Sequence, residues 1–371
     1  DYQYTFTYIS TNKERLGNSL GTYFHQEMQP KLIQNMEKSK ILNVPYVNIH
    51  GDSPDDGFPA FMDSPRYATG YTTLFNIPGT VAETHMLKPY QDRVKATYEY
   101  MRHSINFVDE NYLDISKKMM EELTNYLPNK KYAIRWKLDS TKYSFIDFKG
   151  YEAGKKPSEI SGKPRLFYDR NKPFTRKVKF FDTYKADKEI VIPSYYVIPK
   201  SEGKIIENLK RNQIKFKELQ SDSLITVESY KIVDFKTVKN PYEGHYLHFD
   251  TQVSSELKTK KFRKGDYLVS TKQSGVKFLL ETLEPEAVDS YFNWNFFDGI
   301  LGQKEYFSDY VFEDTAAELL KTNKALKTAF ELKKASDAKF AEDGAAQLDW
   351  VYKNSEYYEG SVNQYPIYRI R

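Results

Sequence analysis

From Asp63 to Tyr90 the chain reads DSPRYATGYTTLFNIPGTVAETHMLKPY, and the stretch sets one carboxylate, Glu83, at the end of a short apolar run, Thr80-Val81-Ala82. The run predicts a strand, and Thr84-His85-Met86 leads toward Pro89 and a helical pattern. In open α/β sheets, ligands and catalysis collect just beyond the carboxyl ends of the strands. A glutamate there, with Arg66, Tyr67 and His85 close in sequence, is a candidate general base able to deprotonate an attacking water. The structural alternative is a partly buried glutamate salt-bridged to a helix.

The other chemistry-bearing side chains are weaker candidates. Arg66 offers a bidentate fork that could meet a substrate carboxylate, or an ion pair with Asp63. His85 shares a face with Glu83 if the strand persists and could tune it, or be a hydrogen-bonded structural histidine. His245 and His248, three apart, point to opposite faces of a strand, which argues against a shared metal. His50, Asp52, Asp55 and Asp56 lack the calcium-loop pattern and read as a solvated turn. No phosphate loop or serine-nucleophile elbow occurs.

These residues need elements to position them. Tyr2 to Tyr8 alternates as a strand, Glu14 to about Lys38 is helical with a kink at Pro30, and Val44 to His50 is a second strand. Asp52 to Pro65 is a loop. After the Glu83 strand, Val94, Tyr98, Met101, Ile105 and Val108 recur at spacings of three and four, and Asn111 to Tyr126 reads as a further, connecting helix. This order is the back half of an α/β domain, a mixed sheet flanked by helices, over residues 1–127.

Residues 128–290 alternate short aromatic or β-branched runs with turn clusters at Gly150, Gly154-Lys155-Lys156-Pro157 and Asp169-Arg170-Asn171. That predicts a β-rich module, an immunoglobulin-like or related sandwich, with a short helix at Ser201–Asn212. Residues 291–371 begin with the aromatic run Tyr291 to Phe297, expected to dock on the first part, and carry a C-terminal amphipathic helix from Asp314 to Ala338.

The Glu83 segment resembles the tail of the catalytic domain in the zinc carboxypeptidases (the carboxypeptidase A-like family), in its exported bacterial multidomain forms. Arg66-Tyr67-Ala68-Thr69-Gly70 resembles the family's tyrosine loop, and Val81-Ala82-Glu83-Thr84-His85 its glutamate strand, with a shorter connection between them. Glu281 to Asp298 resembles the region after that domain. The resemblance implies a metallocarboxypeptidase with Glu83 as general base, Tyr67 as a substrate-binding group, a zinc cofactor, a peptide or protein substrate, and export; Arg66 joins Tyr67 as a substrate-binding candidate on its guanidinium fork alone. None of the six histidines has Glu three positions on, so the zinc ligands are expected upstream of Asp1, and this chain alone is expected not to bind catalytic zinc. A non-catalytic glycan- or peptide-binding or scaffolding role, or a degenerate peptidase, are the alternatives.

Composition sets outer bounds. Fifty-five basic against 51 acidic residues give a net charge of +4, with signs alternating along the chain, which is no argument for a nucleic-acid partner. With no cysteine there are no disulfides or thiolate metal sites. No apolar run approaches the roughly 18 residues of a membrane span. The 31 tyrosines could form a stacking surface, but amphipathic rings packed in strands are the better account of them.

Overall fold

Four short strands lie in the first ninety residues: β1 (Phe6–Ser10), β2 (Asn43–Pro45), β3 (Phe58–Pro59) and β4 (Thr80–Thr84). The computed structural model describes residues 1–49 and 51–371; His50, the predicted end of the second strand, lies outside the described residues. Strand β1 is the centre of a three-stranded sheet, parallel to β2 and antiparallel to β4. Its alternation puts Phe6 and Tyr8 against Met36, Ile41 and Ala96 of the flanking helical layer.

The helical layer is more broken than its pattern suggests. Asn12 caps Lys13–Leu16 by accepting from the N–H groups of Glu14 and Arg15, and Gly17, at φ 100°, ends that turn. A Cβ on Gly17 would collide with the Glu122 carboxylate. Helix Asn18–Tyr23 runs into a π turn, Phe24–Met28, before Gln29–Lys38. The kink expected at Pro30 is thus placed one turn earlier. Proline has no N–H and crowds the carbonyl four residues back, and the wider turn accommodates both.

A single 34-residue helix, Tyr90–Leu123, replaces the predicted helix and connector. It buries Ala96, Phe107 and Glu122 against the short helices. The recurring stripe Val94 to Val108 faces solvent instead.

Beyond residue 128 the strands are β5 (Lys131–Leu138), β6 (Ser144–Pro157), β7 (Pro164–Phe181), β8 (Tyr184–Val191), β9 (Tyr195–Ile198), β10 (Lys217–Glu218), β11 (Ser223–Thr237), β12 (His248–Phe262), β13 (Tyr267–Ser270) and β14 (Gln364–Ile370). Strands β6 and β7 form one long hairpin, and β7 also pairs with β3. Two clusters that read as turns lie within this hairpin. Gly154 to Pro157 stays paired with Pro164 to Phe167, while Arg170 to Lys172 is a bulge between the Glu152–Asp169 and Tyr151–Pro173 pairs.

The main sheet is antiparallel, in the order β10-β13-β9-β14-β11-β12. Its last strand in sequence, β14, is inserted between β9 and β11, so the chain closes in a central strand rather than in the expected C-terminal helix. The predicted helix from Asp314 to Ala338 is two, Asp309–Thr322 and Lys324–Ser336, because Asn323 leaves helical geometry and caps the second. The edge strand β12 contains Ser254 to Lys261, which is too polar to read as a strand, and its lysines suit an unpaired edge. The chain is therefore a mixed α/β protein with several sheets.

The largest core gathers Tyr196 and Ile198 of β9, Tyr365 and Ile367 of β14, helix Gly203–Arg211 and helix Val276–Leu283, with Tyr132 and Ile190 from the β5–β8 ribbon. Buried charges tie it to the first hundred residues. Arg15 Nη2 donates to both Glu281 carboxylate oxygens at 2.9 Å, and its Nη1 donates to the Asp63 carbonyl. Tyr132 Oη donates to Glu281 at 2.6 Å. Lys277 Nζ donates to the Arg15 carbonyl at 2.9 Å and lies 4.4 Å from the centre of the Tyr126 ring. Glu122 accepts from Ser19 N–H and Tyr126 Oη.

Lys277 is fully buried, and burial is the main cause that lowers its ammonium pKa from 10.5 to about 7; Arg15 adds to the lowering, while Glu122 and Glu281 oppose it. Between those two values the unfolded chain holds a proton that the folded chain has released, so this group makes stability rise with pH across the window. Urea denaturation from about pH 7 to 10 is expected to show the parent gaining stability relative to Lys277→Met as pH rises. Parallel pH profiles would show that Lys277 does not titrate there.

Candidate functional site

The Glu83 strand is built by its pairing with β1. Glu83 is the fourth of the five β4 residues, opposite Thr7, and its carbonyl accepts a hydrogen bond from Thr7 Oγ1 at 3.0 Å. Placement at the strand end agrees with the reading from sequence. The residue is half-buried, and no hydrogen bond or ion pair joins its carboxylate to Arg66, Tyr67 or His85 among the described residues. Tyr2 lies near: burial pushes its phenol pKa up, Tyr46 adds to that, and Glu83 contributes a smaller part.

A cavity of about 260 Å³ opens beside β1, lined by residues including Tyr8, Ser10, His25, Tyr46 and Phe61. Glu83 is not among its lining residues. Within the cavity His25 Nε2 is 2.8 Å from the Thr11 carbonyl, and burial lowers the imidazole pKa.

His85 is held away from Glu83. Its Nδ1 accepts the Leu87 N–H at 3.1 Å, which leaves Nε2–H to donate to Asp1 Oδ1 at 3.0 Å. Burial, then Lys88, keeps its pKa below the ordinary imidazole value, in keeping with a neutral, doubly satisfied ring. It is the hydrogen-bonded structural histidine.

Arg66 and Tyr67 belong to a second constellation. The Arg66 N–H donates to Asp289 Oδ2 at 3.0 Å, and its guanidinium meets Oδ1 through Nε at 2.7 Å and Nη2 at 2.5 Å. The same guanidinium lies 5.5 Å from the Tyr242 ring and 5.2 Å from the Trp294 ring. Trp294 Nε1 donates to Asp289 as well. The ion pair expected with Asp63 is therefore made with Asp289, 223 residues away along the chain, while the Asp63 carboxylate accepts from Thr69. Tyr67 precedes helix Ala68–Thr73 with its ring edge-on to Phe61; burial, then Tyr242, raises its phenol pKa.

Arg66 also lines a cleft of about 420 Å³ with Arg135, Trp136, Asp187, His248 and Phe249 among others. His248 is buried between Thr237 Oγ1 at 2.9 Å and Asp298 Oδ1 at 3.2 Å. No local motif marks this cleft, because its lining is drawn from six separate strands and loops. In the 52–56 loop, Asp55 pairs with Ser53 and Arg176, so that segment docks on β7.

Among the described residues no group of three or more His, Asp or Glu side chains could hold a metal ion. Among the described residues no helix is long and apolar enough to cross a membrane. Compared with family models, curated proteins and solved structures, the chain matches none.

The Asp289 carboxylate is 4% exposed, so removing its partner strands a buried charge. Arg66→Ala is expected to cost about 2–4 kcal/mol in urea denaturation, and Arg66→Lys to recover only part, since an ammonium lacks the planar fork and ring stacking. Equal stability of parent and Arg66→Ala would show the clamp to be idle.

Proposed function

We propose that this chain is the carboxy-terminal part of a metallocarboxypeptidase that releases C-terminal residues from peptides or proteins, with Glu83 as the general base toward the attacking water. The observation that supports it is the position of Glu83, next to last in a strand whose register is set by β1 and which leads through a short turn into helix Tyr90–Leu123. In this reading Arg66 and Tyr67 form the substrate-side loop. Because the Arg66 guanidinium is already bound to Asp289, its role is to fix Tyr67 rather than to grip a free carboxylate. The β-rich part, which the sequence likens to an immunoglobulin-like sandwich, is the scaffold that carries Asp289, with Trp294 just beyond it. In this reading zinc, held by residues upstream of Asp1, would supply the activation of the attacking water. An exported location belongs to the same reading.

A second reading, non-catalytic binding of a peptide or glycan, is favoured by the cleft beside Arg66. There the Trp136 and Phe249 rings stand next to Arg135, Asp187 and Asp250.

The test is release of C-terminal amino acids by the polypeptide joined to the residues that precede Asp1. Glu83→Gln is expected to lower kcat by roughly 10²- to 10⁴-fold with zinc content unchanged. Undiminished hydrolysis by Glu83→Gln would remove Glu83 from the mechanism. Peptide or glycan binding to an inactive parent, lost on Phe249→Ala, would favour the second reading.

A further inference from the structure

Helix Tyr90–Leu123 has two apolar faces, and only one is used. Ala96, Tyr100 and Phe107 pack inward, but Val94, Tyr98, Met101, Ile105, Val108 and Tyr112 are 43–64% exposed. Their spacing of four, three, four, three, four continues to Ile115, which is half-buried, while Met119, next in the series, packs on Leu16, Leu20 and Phe24 of the same chain. This is a heptad seam, with Tyr98, Ile105 and Tyr112 at a and Val94, Met101, Val108 and Ile115 at d. A seam of this length is far more than singly scattered surface apolar residues.

We propose that the seam pairs with the same seam of a second copy, as an antiparallel two-helix coiled coil with its two-fold axis between Ile105 and Val108. In that register a meets d: Ile105 with Val108, Met101 with Tyr112, and Tyr98 with Ile115. Each tyrosine meets a smaller or more flexible side chain, so large and small alternate across the seam.

Charge selects the orientation. The flanking e positions bring Arg102 of each copy, whose guanidinium also donates to Glu99 of its own helix, to Asp109 of the other, giving two symmetry-related ion pairs, and both residues are exposed. The g positions bring together Ser104 with Asn111 and Thr97 with Lys118, which contain no like-charge contact. A parallel, in-register pair would instead set Thr97 against Arg102, Ser104 against Asp109 and Asn111 against Ser116, with no ion pair, and would stack tyrosine on tyrosine at a. Two-fold reciprocity of this kind is what an isologous dimer requires.

The experiment is sedimentation equilibrium of the chain as it stands, with circular dichroism to confirm folding of each variant. A monomer–dimer equilibrium is expected, with Ile105→Glu shifted to monomer at unchanged helicity. Arg102→Glu and Asp109→Arg singly are expected to weaken the dimer about tenfold or more, through like charges across the seam. The two together restore it, because the pairs re-form with their signs exchanged. A parent that stays monomeric, as it would if another polypeptide covers the seam, overturns the proposal. So does a dimer indifferent to Ile105→Glu, or a double variant no tighter than the singles.

Discussion

The contact between Arg15 and Glu281 holds the architecture together. It joins a single-turn helix near the start of the chain to the helix at the centre of the main core, 266 residues later, with both side chains 4% exposed. A buried ion pair is favourable only where its remaining hydrogen-bonding capacity is met. Here the Asp63 carbonyl, Tyr132 Oη and both Glu281 oxygens do most of that, and Lys277 takes up the Arg15 carbonyl. Ser19, Glu122 and Tyr126 extend the network to the end of the long helix. The first sheet, the long helix and the β-rich part are therefore coupled through one buried polar cluster as well as through apolar packing.

A second clamp follows the same logic at the candidate site. Arg66 is fixed by Asp289 and sandwiched near Tyr242 and Trp294, so the loop bearing Tyr67 is positioned by residues from the far end of the chain. Glu83 is positioned separately, by the β1–β4 ladder. Under the peptidase reading these are two rigid supports for one reaction: a strand that presents a base and a clamped loop that presents a tyrosine. The heptad seam lies on a further element, the helix that follows Glu83, and so links any self-association to the same part of the fold.

Much of this was legible in the residues. The strand ending at Glu83, the helix opening after Pro89 and the short helix near Gly203 follow from periodicity and proline placement. Three things were not. A helical stripe such as Val94 to Val108 looks the same whether it meets the core or solvent, because periodicity reports a face and not its partner. Strand β12 and the β6–β7 hairpin carry lysine, glycine and proline where edge strands and bulges tolerate them, so they read as loops and turns. Long-range pairings such as Arg66 with Asp289 leave no local signal at all. For that reason Asp63, three residues away, was the natural expectation for the arginine, and the cleft near His248 was invisible.

The most direct measurement is a double-mutant cycle on the central pair, using Arg15→Met, Glu281→Met and the double variant in urea denaturation. The account expects one cooperative transition for the parent, single losses of about 3–5 kcal/mol each, and a double variant far less destabilised than their sum, because neither charge is left stranded. Strictly additive losses, or a parent that unfolds in two separate transitions, would contradict it.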